Sequence, residues 1–494
     1  MTAFDELMAF QRGTEALSMI AERLGWDQET MMPRGATAQR AEEMAAIESV
    51  LHERRSDPRL AEWLDRAEAP DEQGARILHL MARDLGRAQA IPARLAAELA
   101  RTTSLAQGIW AEARAADRPA DFLPTLDQVL ALKREEAQAL VAAGFGGGDP
   151  YDALLDDYEP GTSQAEIAAI FDAMRPRLVA LREAVLGADH QPAALDHTFA
   201  QDTQLRIARQ CATAFGYDWT RGRMDLAVHP FSSGRFNDSR ITTRVVEREP
   251  FNCIYSTIHE VGHSSYELGV DQDYGFTPLG RGVSMGVHES QSRIYENQLG
   301  RSAPFTGWLF QRMTEAFGDF GVADADAFHA TVNRVVPGFI RTEADELHYN
   351  LHVMMRFDLE RDLIAGRLDT DDLEEAWNAR FLRDFGVAVD RPAHGMLQDV
   401  HWSVGLFGYF PTYSLGNVYA GCLNRALRAA VPDLDDHLAR GDATPATEWL
   451  RENLQRHGAL YAPRDLITRV TGAPISEAPL LEDLATKFAA IYRL

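Results

Sequence analysis

PFNCIYSTIHEVGHSSYELG, from Pro250 to Gly269, decides how the rest of the chain is read. Pro250 suits the first turn of a helix, where its missing N–H is no loss, and Gly269 suits a helix end. Between them, His259 and His263 stand four residues apart. That spacing puts both imidazoles on one helical face, one turn apart, where they can grip a single cation. Glu260 lies beside the first histidine, angled into the site, where it can take a proton from metal-bound water. This H-E-x-x-H pattern arises by chance in about a few per cent of chains of this length, on the false-positive logic of short motifs. The helix signals at both ends lower that figure.

Two histidines do not complete a catalytic metal site, which wants three protein ligands and one open position. A third histidine in H-E-x-x-H-x-x-G-x-x-H is absent, because Tyr266 stands where the glycine belongs and Gly269 where the histidine belongs. The other solution is a glutamate on the following helix. SMGVHESQSRIYENQL, residues 284–299, predicts such a helix, ending at Gly300. It carries Glu289 and a rival, Glu296. Glu296 lies two turns further on, at about 5.4 Å per turn, so both cannot serve. Glu289 is the expected ligand.

Outward from this centre the pattern is helical. Residues 2–24, 38–54 and 476–494 read as amphipathic helices, and Ser163 with Glu166 forms a capping box. Thr444 and Pro445 open another helix, which Gly458 closes. Residues 223–249 break the pattern and predict two short strands with a Ser-Ser-Gly turn between them. GFGGGDP, residues 144–150, reads as a loop too short to link domains. The expected fold is therefore mainly α with one small sheet.

The 494 residues carry 74 acidic against 49 basic groups, a net charge of −25, which argues against a nucleic-acid partner. No apolar run approaches the roughly 18 residues that span a bilayer, so no membrane partner is expected. The N-terminal MTAFDELMAF has no signal-peptide character. Cys211, Cys253 and Cys422 stand singly and form no disulfide framework. A cytoplasmic protein is expected.

Further segments carry a family resemblance: His229-Pro230-Phe231, Asp238-Ser239-Arg240-Ile241-Thr242, His288-Glu289-Ser290, Ile340-Arg341 with Ala344-Asp345, and Gly395-x-x-Gln398-Asp399-x-His401-Trp402. WDQET from Trp26 and GYFPTYSLGN from Gly408 match as well. With the H-E-x-x-H, this ordered set resembles the carboxypeptidase Taq family of metallocarboxypeptidases, within the wider zinc-peptidase group that includes angiotensin-converting enzyme. The resemblance implies a large helical peptidase fold, two helical lobes flanking a deep groove, as one catalytic domain over residues 1–494. It implies one divalent metal, Zn2+ with Co2+ as an alternative, a homodimer, and broad removal of single residues from peptide C-termini.

Roles follow from that resemblance. Arg341 is expected to read the free carboxylate of the substrate, for which a guanidinium fork is the natural group; its alternative is an i,i+4 pair with Asp345. His401, followed by Tyr409 or Tyr413, is expected to supply hydrogen bonds to the oxyanion. Spacing does not choose between the tyrosines; the catalytic role is given to Tyr409, and substrate contact to Tyr413 and His229. His348 and His352 make a second H-x-x-x-H pair, read as packing or as support for other groups. An oligopeptidase or endopeptidase with the same machinery is the competing enzyme. A helical di-iron protein built on Glu260-x-x-His263 is the competing non-enzyme, and it lacks a second Glu-x-x-His.

Overall fold

The structure, a computed structural model, describes residues 2–494. Helices account for most of it, with one three-stranded sheet. The chain divides into two compact units. One comprises Met1–Leu85, Pro192–Asn333 and Tyr419–Ile475; the other comprises Gly86–Gln191, Arg334–Val418 and Ser476–Leu494. Among the described residues no helix is long and apolar enough to cross a membrane.

The first unit opens with helix α1 (Ala3–Thr30), started by a capping box in which Thr2 and Asp5 each accept the other's backbone N–H. Its sheet holds strands β1 (Met224–Leu226), β2 (Ser232–Arg235) and β3 (Asp238–Thr243). The order is β1-β3-β2, with β1 parallel and β2 antiparallel to β3. The expectation of two strands is corrected to three, and Ser232-Ser233-Gly234 lies inside β2 rather than at the turn. The turn is Phe236-Asn237, between the paired Arg235 and Asp238. Phe236 takes the positive φ, 66°, that a glycine usually takes there. Its N–H bonds to the Glu267 carbonyl and its ring packs on Phe276, which holds it. Gly234 serves another need: a β-carbon there would collide with the carbonyl oxygen of Asp238.

Helix α2 (Pro250–Gly269) has the bounds its terminal residues predict. β3 bonds to one of its faces, through Thr243 Oγ1 to the Cys253 carbonyl and Ser264 Oγ to Ser239 Oγ. Ile254, Ile258, Val261 and Tyr266 are buried around it. Helix α3 (Met285–Arg293), capped by Ser284, crosses a different face and continues as a π-helix over Ile294–Gly300. The two helices touch at Gly262, where an added β-carbon would lie 2.5 Å from the Gln291 carbonyl oxygen and 2.6 Å from the Ser292 Cα.

The second unit is built around helix α4 (Glu346–Ile364), which is buried along nearly its whole length. Asp345 caps it by accepting the N–H groups of Leu347 and His348. Its neighbours include the helices Pro119–Ala142, Gln164–Gly187 and Leu373–Phe385. The Ser163–Glu166 capping box forms as read. Helix α5 (Phe410–Ala430) starts in this unit, directly after Gly408 and Tyr409. His348 stacks on Phe385 and pairs with Asp345 through Nδ1 at 2.7 Å, and His352 packs at a tilt on the same ring; both are buried.

Two glycines give opposite expectations. Gly262→Ala should lower Tm, because overpacking against a neighbouring backbone costs about 1–3 kcal/mol. Gly307→Ala, in the helix Ala303–Phe317 with open space at its β-carbon, should raise it by the equivalent of about 0.5–1 kcal/mol. Calorimetry of the two variants, saturated with metal, reads both signs.

Candidate active site

One turn of α2 separates His259 from His263, and α3 brings Glu289 opposite them. Glu289 Oε2 lies 4.0 Å from His259 Nε2 and 3.5 Å from His263 Nε2. The three side chains offer ligand atoms within 4.8 Å of one another, the one such group among the described residues. Two imidazole nitrogens and one carboxylate oxygen are a donor set for a divalent cation with an open position. The residues fit a metal.

The outer nitrogens of both rings are engaged, and this fixes their tautomers. Glu296 Oε2 lies 2.9 Å from His259 Nδ1 and can only accept a proton there. His259 Nε2 is then left with its lone pair facing Glu289. Behind His263 the arrangement has one more link. His288 Nε2 is 2.9 Å from Glu267 Oε1, and His288 Nδ1 is 2.6 Å from His263 Nδ1. Glu267 accepts from His288, so His288 Nδ1 accepts from His263 Nδ1, and His263 Nε2 is again a lone pair. Burial holds His263 well below the ordinary imidazole range and keeps it neutral.

Glu296, on the π-helix, lies behind His259, at its Nδ1 and beside the guanidiniums of Arg293 and Arg301. Burial opposes its charge, but the His259 hydrogen bond and those two cations hold it well below the carboxylate range. Glu289 is steadied by Arg293 Nε at 2.7 Å. Glu260, only 6 % exposed, is pushed up to about 7 by burial, against the pull of His259.

In the second unit, Arg341 is 5 % exposed and pairs with Asp399, not with Asp345. Its Nε and one terminal nitrogen lie 3.0 and 2.9 Å from Asp399 Oδ1. Asp399 Oδ2 accepts from Arg356 Nε at 2.6 Å. Two guanidiniums against one carboxylate leave a net positive charge. His401 Nε2 is 3.2 Å from the Tyr413 hydroxyl. Burial, helped by Arg341 and Arg356, lowers His401 to about 4, so it is neutral at neutral pH. Tyr409 packs edge-on against Tyr413 and Tyr158. His229 is exposed, in the bend between β1 and β2.

Comparison with known proteins completes the picture. Residues 6–488 match the family model described as carboxypeptidase Taq (M32) metallopeptidase. The chain belongs to that family. Thermostable carboxypeptidase 1 of Thermus thermophilus is 41 % identical over 505 residues, covering 99 % of both chains. That of Pyrococcus furiosus is 33 % identical, covering 94 % of both. The crystal structure of an M32 carboxypeptidase from Deinococcus radiodurans superposes over both full lengths, with a TM-score of 0.96 at 36 % identity. The protein is a metallocarboxypeptidase, a hydrolase of peptide bonds that works with a divalent metal, and its mainly α fold is that of the family.

Two supporting residues of this metallopeptidase escaped the sequence reading. Glu267 follows His263 by one helical turn, on the same side, and His288 immediately precedes Glu289; both signals were present. Glu296→Gln should keep the three ligands yet weaken metal retention about 10–100-fold, the usual cost of losing such a partner. Glu289→Ala should lose the metal outright. Metal content after dialysis against graded chelator distinguishes the two. Equal retention by Glu296→Gln and the wild type would remove Glu296 from this role.

Proposed function

We propose that this metallocarboxypeptidase releases single amino acids from the C-termini of peptides with broad specificity, and that Glu260 is its proton carrier. The observation behind this is a buried carboxyl, poised near neutrality, on the same helix as two imidazoles whose lone pairs converge with Glu289. His259, His263 and Glu289 would hold one divalent cation, Zn2+ with Co2+ as the alternative, which supplies Lewis-acid polarisation and acidifies water. Glu260 takes a proton from the attacking water and returns it to the leaving amine nitrogen.

Arg341 is the proposed reader of the substrate carboxylate. Asp399 takes its Nε and one terminal nitrogen, and the other terminal nitrogen donates to the Tyr349 hydroxyl at 3.4 Å, the contact a peptide anion would displace. The surplus positive charge over Arg341, Asp399 and Arg356 favours such a ligand. His401 and Tyr409 are the proposed oxyanion donors, with Tyr413 and His229 contacting substrate. The Tyr413 hydroxyl, already beside His401 Nε2, suits it to orienting that ring. The whole chain is proposed to act as one catalytic domain and to assemble as a homodimer. A cytoplasmic setting is supported by three buried cysteines, none of them in a disulfide.

Glu260→Gln should retain metal and lose about 10²–10⁴ in kcat, the usual worth of general acid–base help. Undiminished kcat would move the role elsewhere. For Arg341, the measurement is kcat/KM on a matched pair of peptides, one with a free C-terminus and one amidated. The wild type should strongly prefer the acid, and Arg341→Ala should narrow that preference. An unchanged ratio after substitution would shift carboxylate reading to another group, and a wild-type ratio near one would favour an endopeptidase.

A further inference from the structure

Both segments that carry the proposed oxyanion donors are tied to one buried carboxylate. Glu360, on α4, has no exposed surface. Its Oε1 accepts the indole N–H of Trp402 at 2.9 Å. Its Oε2 accepts the backbone N–H of Gly408 at 3.0 Å and the hydroxyl of Tyr151 at 2.8 Å. Trp402 follows His401 directly, and Gly408 directly precedes Tyr409. The loop between them is closed at both ends on a single side chain.

Packing alone does not call for such a group, since an apolar residue of similar volume avoids the cost of burying a charge. Three donors converge on two oxygens, and only a carboxylate accepts from all of them. Gly408 has φ of 85°, and an added β-carbon would lie 2.8 Å from the Leu155 nitrogen, so the loop is also pressed against the helix Pro150–Leu155. The result is a fixed spacing of 5.7 Å between the rings of His401 and Tyr409. Burial pushes Glu360 up to about 7, while the bonds from Trp402, Gly408 and Tyr151 pull it back.

We propose that Glu360 is a positioning residue for the hydrolysis, holding His401 and Tyr409 at the separation at which both reach the oxyanion. This rests on the assignment of those two residues as its donors. Glu360 acts through Trp402 and Gly408.

Glu360→Gln tests it. The amide keeps the size of the side chain but offers one acceptor oxygen and one donor, so it cannot satisfy all three partners. kcat should fall about tenfold to a hundredfold, since a misplacement of about 1 Å costs on the order of 10². KM should stay within about twofold and metal content should not change, because the interactions at stake belong to the transition state. In a His401→Ala/Tyr409→Phe background the same substitution should cost less than about twofold, as the groups it positions are gone. A folded Glu360→Gln enzyme at wild-type kcat overturns the inference, as does an undiminished drop in the background lacking both donors. Wild-type activity of the His401→Ala/Tyr409→Phe background is the separate result that overturns the donor assignment, and this inference with it. If Glu360→Gln does not fold, Trp402→Phe, which frees only the His401 end, should slow kcat with KM unmoved, and wild-type kcat in that variant overturns the inference.

Discussion

The proposed metal site depends on how closely two helices can approach. His259, His263 and Glu289, on α2 and α3, converge only because Gly262 lets the backbone of Gln291 and Ser292 lie against it. A side chain there would push α3 outward by the thickness of a methyl group. Metal-ligand bonds tolerate errors of only about 0.2 Å, so the approach of the backbones is a stricter requirement than the identity of any apolar neighbour. The sheet contributes from the other side. β3 bonds to the face of α2 that carries Cys253 and Ser264, so α2 is held between β3 and α3.

Behind the ligands stands a second layer of opposite charges. Each imidazole has a carboxylate at its back, Glu296 directly and Glu267 through His288. Burying four carboxylates, Glu260, Glu267, Glu289 and Glu296, beside two imidazoles is costly without cations. Arg293 and Arg301 offset two of them, and a divalent ion offsets more. Glu260 is the one pushed toward its neutral form. The environments of neighbouring carboxyls thus diverge, with Glu296 held charged and Glu260 pushed toward its neutral form.

How much of this was legible depended on the range of the interaction. The bounds of α2, the capping box at Ser163 and the ligand spacing are local, set by residues within a turn or two, and they read directly. Helical period said only that Glu289 and Glu296 could not both serve, and the π-helix that carries Glu296 leaves no mark in composition. The sheet was misread because a Ser-Ser-Gly run looks like a turn, whereas Gly234 is required by the Asp238 carbonyl facing it. Arg341 was weighed against Asp345, its neighbour in sequence, but its partner Asp399 is 58 residues away. No periodicity encodes a contact of that range. The same holds for Glu360, which no motif singles out and whose three donors come from three other segments.

Each compact unit is assembled from three separated stretches of chain. The last of these in the second unit is Ser476–Leu494, whose helix packs on Gln164–Gly187 and whose Tyr492 hydroxyl accepts the N–H of Val335. As the chain leaves the ribosome, neither unit can close its core until residues deep into the sequence have been made. The first must wait for the stretch ending at Ile475, and the second for the final helix. Apolar surface on the early helices is therefore exposed through most of synthesis, at about 5–20 residues per second. Contacts of such long range also slow the search for the native state. Neither compact unit corresponds to one contiguous stretch of the sequence, so a cut at any single point of the chain divides at least one of them.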